Sequence, residues 1–223
     1  MSIANAIRSG EIDIGMGCGV ESMSLYSMTS IIDPANLSEK AFEHEEAQKC
    51  MMPMGITSEN VIEKYGISRE AMDQLAVESH QKAAHAQKQG WTKDEITVYT
   101  TKVTDKDGNE KEVVVDADDG IRGDTTAAGL GKLKPAFKKD GKTTAGNSSQ
   151  VTDGAAAVIL ARRSVAKKMG LPIRGRILSF AVSGVPPEIM GIGPAVAIPE
   201  ALKKTGLTVN DVDVFEINEA FAS

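Results

Sequence analysis

Along residues 68–90, SREAMDQLAVESHQKAAHAQKQG, the apolar positions Met72, Leu75, Ala76, Ala83 and Ala86 return at helical spacing. Ser68 stands where a side-chain oxygen can cap the first turn, and Gly90 where a helix ends, so one long helix is predicted. A shorter helix is predicted over SENVIEKYG (58–66), with Ser58 as its cap and Gly66 as its stop. The period then changes. EITVYTTKVTDKDGNEKEVVVD (95–116) alternates about Asp107-Gly108, the signature of a β-hairpin. Apolar runs predict strands at IDIGMGCG (12–19), at DGAAAVIL running into a helix, at RILSFAVSGVP (176–186) and at VDVFEI (212–217). Ala4, Ile7 and Gly10 mark the last turns of a helix, and GPAVAIPEALKKTG (193–206) is a helix entered through Pro194. Residues 30–50 read as irregular and charged, with EHEEAQK a solvated helical face, and 120–146 as a long loop.

The order "helix, Gly stop, short loop, apolar strand" occurs at AIRSGEIDIG and again at ALKKTGLTVNDVDVFEI. It suggests two similar α/β halves around a middle region, roughly 25–146, of helices, hairpin and loops. The expected architecture is an α/β layered core interrupted by an insertion.

Composition narrows the function. Hydrophobic residues make up 41% and aromatics only 4%, with ten Met, so the core is aliphatic. A net charge of −6 argues against nucleic acid as the main partner. No apolar run approaches the ~18–20 residues that span a bilayer, so no membrane partner is expected. Neither a secretory leader at MSIANAIRSG nor an address at the C-terminal FAS is read. Two cysteines, Cys18 and Cys50, make no disulfide framework, and a reducing compartment is the expectation.

Several stretches carry candidate chemistry. Glycines 15, 17 and 19 have G-x-G-x-G spacing, without the helix and acidic residue of a dinucleotide turn. They are read as a close-packed strand where glycine admits a neighbouring backbone, with nucleotide binding the runner-up. TTAGNSSQVTDGAAAV (143–158) puts small residues and backbone amides at the mouth of a strand. Such a loop suits a polar cofactor arm, or is a solvent loop with turn chemistry. KLKPAFKKDGK (132–142) sets five lysines around Phe137, either a solvated surface or a site for a phosphate-bearing ligand whose apolar part rests on the ring. PMGIT (53–57) and IMGIGP (189–194) pair Met with Gly, for core packing or for an adaptable apolar pocket. His44, His80 and His85 lack metal-ligand spacing and are expected at the surface, and no metal site is expected.

Five stretches together resemble one family: GCGVESMS (17–24), MGITSENV (54–61), GLGKLKPAFKKDGKTTAGNSSQVTDGAAA (129–157), VPPEIMGIGPA (185–195) and FEINEAFAS (215–223). They are similar, in order along the whole chain, to the thiolases, and nearest to 3-ketoacyl-CoA thiolases of peroxisomal type. The resemblance implies a layered αβαβα core with an inserted α/β loop domain, both halves incomplete. It divides the chain into 1–24, the end of the N-terminal half; 25–146, the loop domain; 147–172, the last strand and helix of that half; and 173–223, the start of the C-terminal half. It implies thiolytic cleavage of 3-ketoacyl-CoA by CoA in fatty-acid β-oxidation. CoA is then a substrate, no cofactor is tightly bound, the assembly is a homodimer or tetramer, and the location is peroxisomal, with cytoplasmic the alternative.

Residue by residue, Asn218 matches the asparagine of the NEAF motif, which holds a water at an oxyanion hole beside the catalytic His. Glu219 is expected to be structural. Ser149 and Ala145 match positions along the pantetheine arm, Phe137 packs on that arm, and Arg122 approaches the nucleotide end. Met54 and Met190 border the acyl pocket. Pro53 stands where acetoacetyl-CoA thiolases carry His, which favours the degradative type. Cys50, four residues before Met54, is a candidate for a redox disulfide with the nucleophile. The family's C-S-S-G/A, G-H-P and C-x-G-x-G motifs do not occur in these 223 residues. That implies a chain inactive by itself. The alternative function is a CoA or acyl-CoA binding module, or a dimer partner of the full enzyme.

Overall fold

In the computed structural model, residues 1–26 and 34–223 are described. The first residues of the irregular stretch expected at 30–50 therefore lie outside the described chain. The polypeptide divides into two compact units, Met1–Met52 with Val151–Ile217, and Pro53–Gln150 with Asn218–Ser223.

In the first unit, helix α1 (Ser2–Ser9) ends at Gly10, whose φ of 89° is open to glycine at little cost. Strand β1 (Ile14–Glu21) pairs antiparallel with a later strand, Gly154–Ala161, in a register that sets Ile14 opposite Ala161 and Glu21 opposite Gly154. Arg162 ties the start of this ribbon together. Its Nε donates to Asp13 Oδ1 at 2.7 Å, and its guanidinium also reaches the Ile7 carbonyl. At the other end the Ser24 N–H donates to Asp153 Oδ1 at 2.7 Å. Gly15 admits the side chains of Ile3 and Ile12, not a neighbouring backbone, since an added Cβ would stand 2.7 Å from Ile3 Cγ2. At Gly19 the space is open, so the close-packing expected there is absent.

Two of the strands expected in this unit do not form. Residues 176–186 and 212–217 join no ladder, and Val182 and Val214 are 83% and 70% exposed. An apolar run becomes a strand only when a neighbour supplies its hydrogen bonds. Among the described residues the first unit's one ladder is the two-stranded β1 ribbon, and neither segment adds to either of its outer edges. Segment 176–180 is held instead by the helix Gly193–Lys203 and the turn after it: the Ser179 hydroxyl donates to Ala201 O, and Lys204 Nζ to Phe180 O, both at 2.8 Å.

The second unit is built on two helices, α4 (Met54–Tyr65) and α5 (Arg69–Gln89), numbered after the short helices α2 (Glu39–Glu43) and α3 (Glu45–Cys50). Ser68 caps α5 as predicted, accepting from the Ala71 N–H at 3.1 Å, and Gly66 and Gly90 stop the two helices at φ 67° and 73°. Ser58 is no cap. The shorter helix begins a turn earlier, after Pro53, and Ser58 lies buried within it. Proline fixes the φ of the residue leading into the first turn, which starts the helix without a side-chain cap. The hairpin forms as read, Tyr99–Thr104 against Glu110–Val115, with Gly108 at φ 85°. Val61, Ile62, Met72, Val77 and Leu130 make the apolar core, each side chain worth roughly 1.5–3 kcal/mol when fully buried.

The same core holds charge. Glu59 is 4% exposed and Asp73 3%. Glu59 accepts the backbone N–H of Lys142 at 2.9 and 3.1 Å and that of Thr143 at 2.7 Å. Asp73 accepts Arg69 Nε at 2.8 Å and Asn147 Nδ2 at 2.9 Å. Asn147 in turn donates to Lys142 O and accepts the Thr144 N–H at 2.7 Å. The loop is thus pinned from beneath at four stations, 142, 143, 144 and 147.

Two outcomes follow from these contacts. The Ser24 N–H, helped by its hydroxyl, holds the Asp153 carboxyl below its usual value of 3.8. A depressed folded value contributes stability at neutral pH that is lost as pH falls through it. Asp153→Asn therefore lowers the melting temperature at neutral pH, and the gap closes in acid below 3.8; a gap constant with pH contradicts the contact. Glu59→Ala leaves two buried N–H groups unpaired at ~1–3 kcal/mol each, so urea unfolding reports a loss of roughly 2–6 kcal/mol. Glu63→Ala, one turn on and paired only with Lys138 at the surface, costs less than about 1 kcal/mol. Equal costs for the two would contradict the pinning.

Candidate functional site

The pinned loop carries an outer face, and several candidate residues of the second unit lie on it or on segments bonded to it. Thr144 opens a 3-10 turn, Ala145–Asn147, and Ala145 is exposed on it. Beyond the turn the chain meets residues 220–223. The Ser149 N–H donates to Ala220 O at 2.9 Å, the Ala222 N–H donates to Asn147 O at 3.0 Å, and Ser148 stands opposite Phe221 in an antiparallel bridge. The Ser223 hydroxyl lies 3.1 Å from that of buried Ser58, which lies 3.0 Å from Thr143 Oγ1. NEAFAS is thus stitched to the loop by backbone and side chain together. Asn218 is the first residue of this strip in the unit and is exposed.

Phe137 approaches from the lysine-rich segment. Its ring meets Phe221 edge to face, centroids 5.9 Å apart at 87°, and covers Gly55 in the first turn of α4. The ring keeps 43% of its surface exposed, and Met54, beside Gly55, keeps 40%. Phe137 and Met54 thus present half-exposed aromatic and thioether surface in the same unit as the exposed Ala145 and Ser149. The five lysines divide. Lys142 Nζ is engaged by Ile67 O at 2.6 Å, Lys138 pairs with Glu63 at 3.3 Å, and Lys132, Lys134 and Lys139 are exposed.

Arg122 lies in the same unit on a separate stretch. Its backbone N–H donates to His80 Nδ1 at 3.2 Å, its carbonyl accepts the Thr125 hydroxyl at 2.7 Å, and its residue is exposed. His44 and His85 are exposed, with His85 edge-on to Trp91 at 5.3 Å, while His80 is half-buried by its contact with the 120s. Met190 and Cys50 belong to the first unit. Met190 sits in the 3-10 stretch Pro187–Ile192 with 45% of its surface exposed, and Cys50 closes helix α3 as an exposed free thiol, as Cys18 is on β1. Neither unit by itself brings Met54, Met190 and Cys50 together.

Sequence reasoning read Ser58 as a cap and 143–158 as a candidate ligand loop, and it missed the groups that hold the loop in shape: Glu59, Arg69 and Asp73 beneath it, and Asn147 as an internal brace. One signal was present. Gly55, Ser58, Glu59 and Ile62 fall on a single helical face, so a carboxylate lies on the stripe that the periodicity buries. A buried acid without an apolar role calls for donors from elsewhere in the chain.

Comparisons with known proteins agree on one family. The model described as "Thiolase, N-terminal domain" matches residues 1–164 and that described as "Thiolase, C-terminal domain" matches residues 171–223. A human protein named "3-ketoacyl-CoA thiolase, peroxisomal" is 61% identical over 222 residues, covering 100% of this chain and 52% of the relative. A Yarrowia lipolytica protein of the same name is 59% identical over 221 residues, 99% of this chain and 53% of its own. The crystal structure of the dimeric peroxisomal thiolase of Saccharomyces cerevisiae superposes with a TM-score of 0.85 at 48% identity, over 99% of this chain and 54% of that one. An acetyl-CoA acetyltransferase from Bacillus anthracis superposes at 0.80 with 38% identity, over 100% and 57%. The chain spans about half the length of the relatives it matches. Over that half it has their α/β fold, and it belongs to the thiolase family.

Proposed function

We propose that this chain supplies the CoA-facing part of a 3-ketoacyl-CoA thiolase. The observation that carries the reading is the stitching of NEAFAS to the 147–149 loop, which places Asn218, Ala145, Ser149 and Phe137 in one compact unit. Phe137 with Ala145 and Ser149 forms the path of the pantetheine arm, and Arg122 serves the nucleotide end. Met54 borders the acyl group, and its flexible thioether suits chains of different shape. CoA is a substrate and is not retained as a tightly bound cofactor.

In the family's reaction a cysteine thiolate attacks the 3-keto carbon, the Cα–Cβ bond breaks, and the acetyl-CoA enolate takes a proton. CoA then removes the shortened acyl group as its thioester. The carbonyl oxygens gain charge in each step, and each oxyanion donor is worth ~3–4 kcal/mol. Asn218 is the residue of this chain assigned to stabilising that charge, because its amide can donate to a water and accept from it without carrying charge itself. The thiolate and the catalytic imidazole belong to motifs outside these 223 residues, so we assign binding and positioning to this chain and not turnover. Homodimeric assembly and a peroxisomal location follow the names of the relatives at 58–61% identity and of the yeast structure.

Titration calorimetry tests the reading directly. CoA binds this chain with measurable heat, Phe137→Ala weakens it about tenfold, and acetoacetyl-CoA is not cleaved above the uncatalysed rate. Absence of heat at millimolar CoA would remove the binding role. Cleavage by the chain itself would overturn the assignment of the chemistry to other motifs.

A further inference from the structure

Gly55 is buried in the first turn of α4, where nothing in the helix calls for glycine, since the residue has no positive φ. A methyl group serves better inside a helix by about 1 kcal/mol. What excludes it is Phe137. An added Cβ would press against the ring, closer to Cγ, Cδ1 and Cε1 than a real Cβ comes to any heavy atom it is not bonded to. The rigid ring also meets Phe221 edge to face, centroids 5.9 Å apart, so a shift of the ring away from Gly55 alters that contact. Phe221 is fixed in turn by flanking backbone bonds, Ser149 N–H to Ala220 O and Ala222 N–H to Asn147 O. Three segments remote in sequence therefore meet in one stack: helix start, lysine-rich segment, and the strip that begins with Asn218.

We propose that Gly55 is a positioning residue: its bare Cα seats the Phe137 ring, and the ring's edge contact with Phe221 sets where the NEAFAS strip, and Asn218 with it, stands. The functional side rests on the CoA reading above, since Phe137 is the ring on which the pantetheine arm is placed. The seat itself stands on geometry alone. A misplacement of about 1 Å in a positioned group is enough to cost ~10²-fold in rate, so a seat cut to the thickness of one ring is a sensitive control on this site.

A double-variant cycle tests it, with the parent chain, Gly55→Ala, Phe137→Ala and the pair. CoA affinity is read by calorimetry, and the position of the strip by the 15N–1H resonances of residues 218–222, including the Asn218 side-chain amide. Gly55→Ala weakens CoA about tenfold and shifts the 218–222 resonances. In the Phe137→Ala background the same change alters affinity by less than about twofold and leaves those resonances in place. An equal effect in both backgrounds, or unmoved resonances in Gly55→Ala, overturns the proposal. If the parent chain gives no heat with CoA, the CoA reading falls, and the resonances still decide the seat. If Gly55→Ala does not fold, the pair, which lacks the obstructing ring, must fold; a pair that also fails overturns the seat.

Discussion

Two carboxylates withdrawn from water, Glu59 and Asp73, impose the geometry on which the candidate site depends. A buried carboxylate without donors is far more costly than any single contact in this unit, so the chain around it has little freedom. Here the donors are the backbone of residues 142 and 143 for Glu59, and Arg69 with Asn147 for Asp73. Gly141 belongs to the same solution: a Cβ there would stand 2.8 Å from the Glu59 carboxyl carbon and 3.0 Å from Lys138 O. The loop is thus defined on its inner side by charge. NEAFAS is joined to that loop by two backbone bonds and to Ser58 of α4 by a hydroxyl contact.

This arrangement explains why a surface of small and exposed residues can be specific. Ala145 and Ser149 are exposed, and Phe137 is only half covered, so none of them is fixed by its own burial. Their order comes from what lies underneath. Arg69 extends it by donating to the carbonyls of Leu130 and Leu133 at 2.6 and 3.2 Å, which fastens the chain leading into the lysine-rich segment.

What the sequence made legible was local. Ser68, Gly66, Gly90 and Asp107-Gly108 act within a turn of their own position, and each formed as read. The five motifs located the family because they are recognisable without any knowledge of their partners. What failed was non-local. Residues 176–186 and 212–217 have strand composition, yet a strand exists only as part of a ladder, and among the described residues these segments pair with no strand. Ser58 looked like a cap because Ser commonly is one; Pro53 starts the helix earlier and turns Ser58 inward. Glu59 was passed over because acids are ordinarily solvated, and its donors lie 83 and 84 residues away. Gly55 gave no sign of its role until Phe137 was found on top of it.

Native-state hydrogen exchange tests most directly whether the buried carboxylates fix the loop. The amides of Lys142, Thr143 and Thr144 are bonded to Glu59 and Asn147, so the account predicts that they open only with the α4–α5 core and share its exchange free energy. Exchange of these three amides at the rate of exposed turn residues such as Asp124, while the helices stay protected, would contradict it.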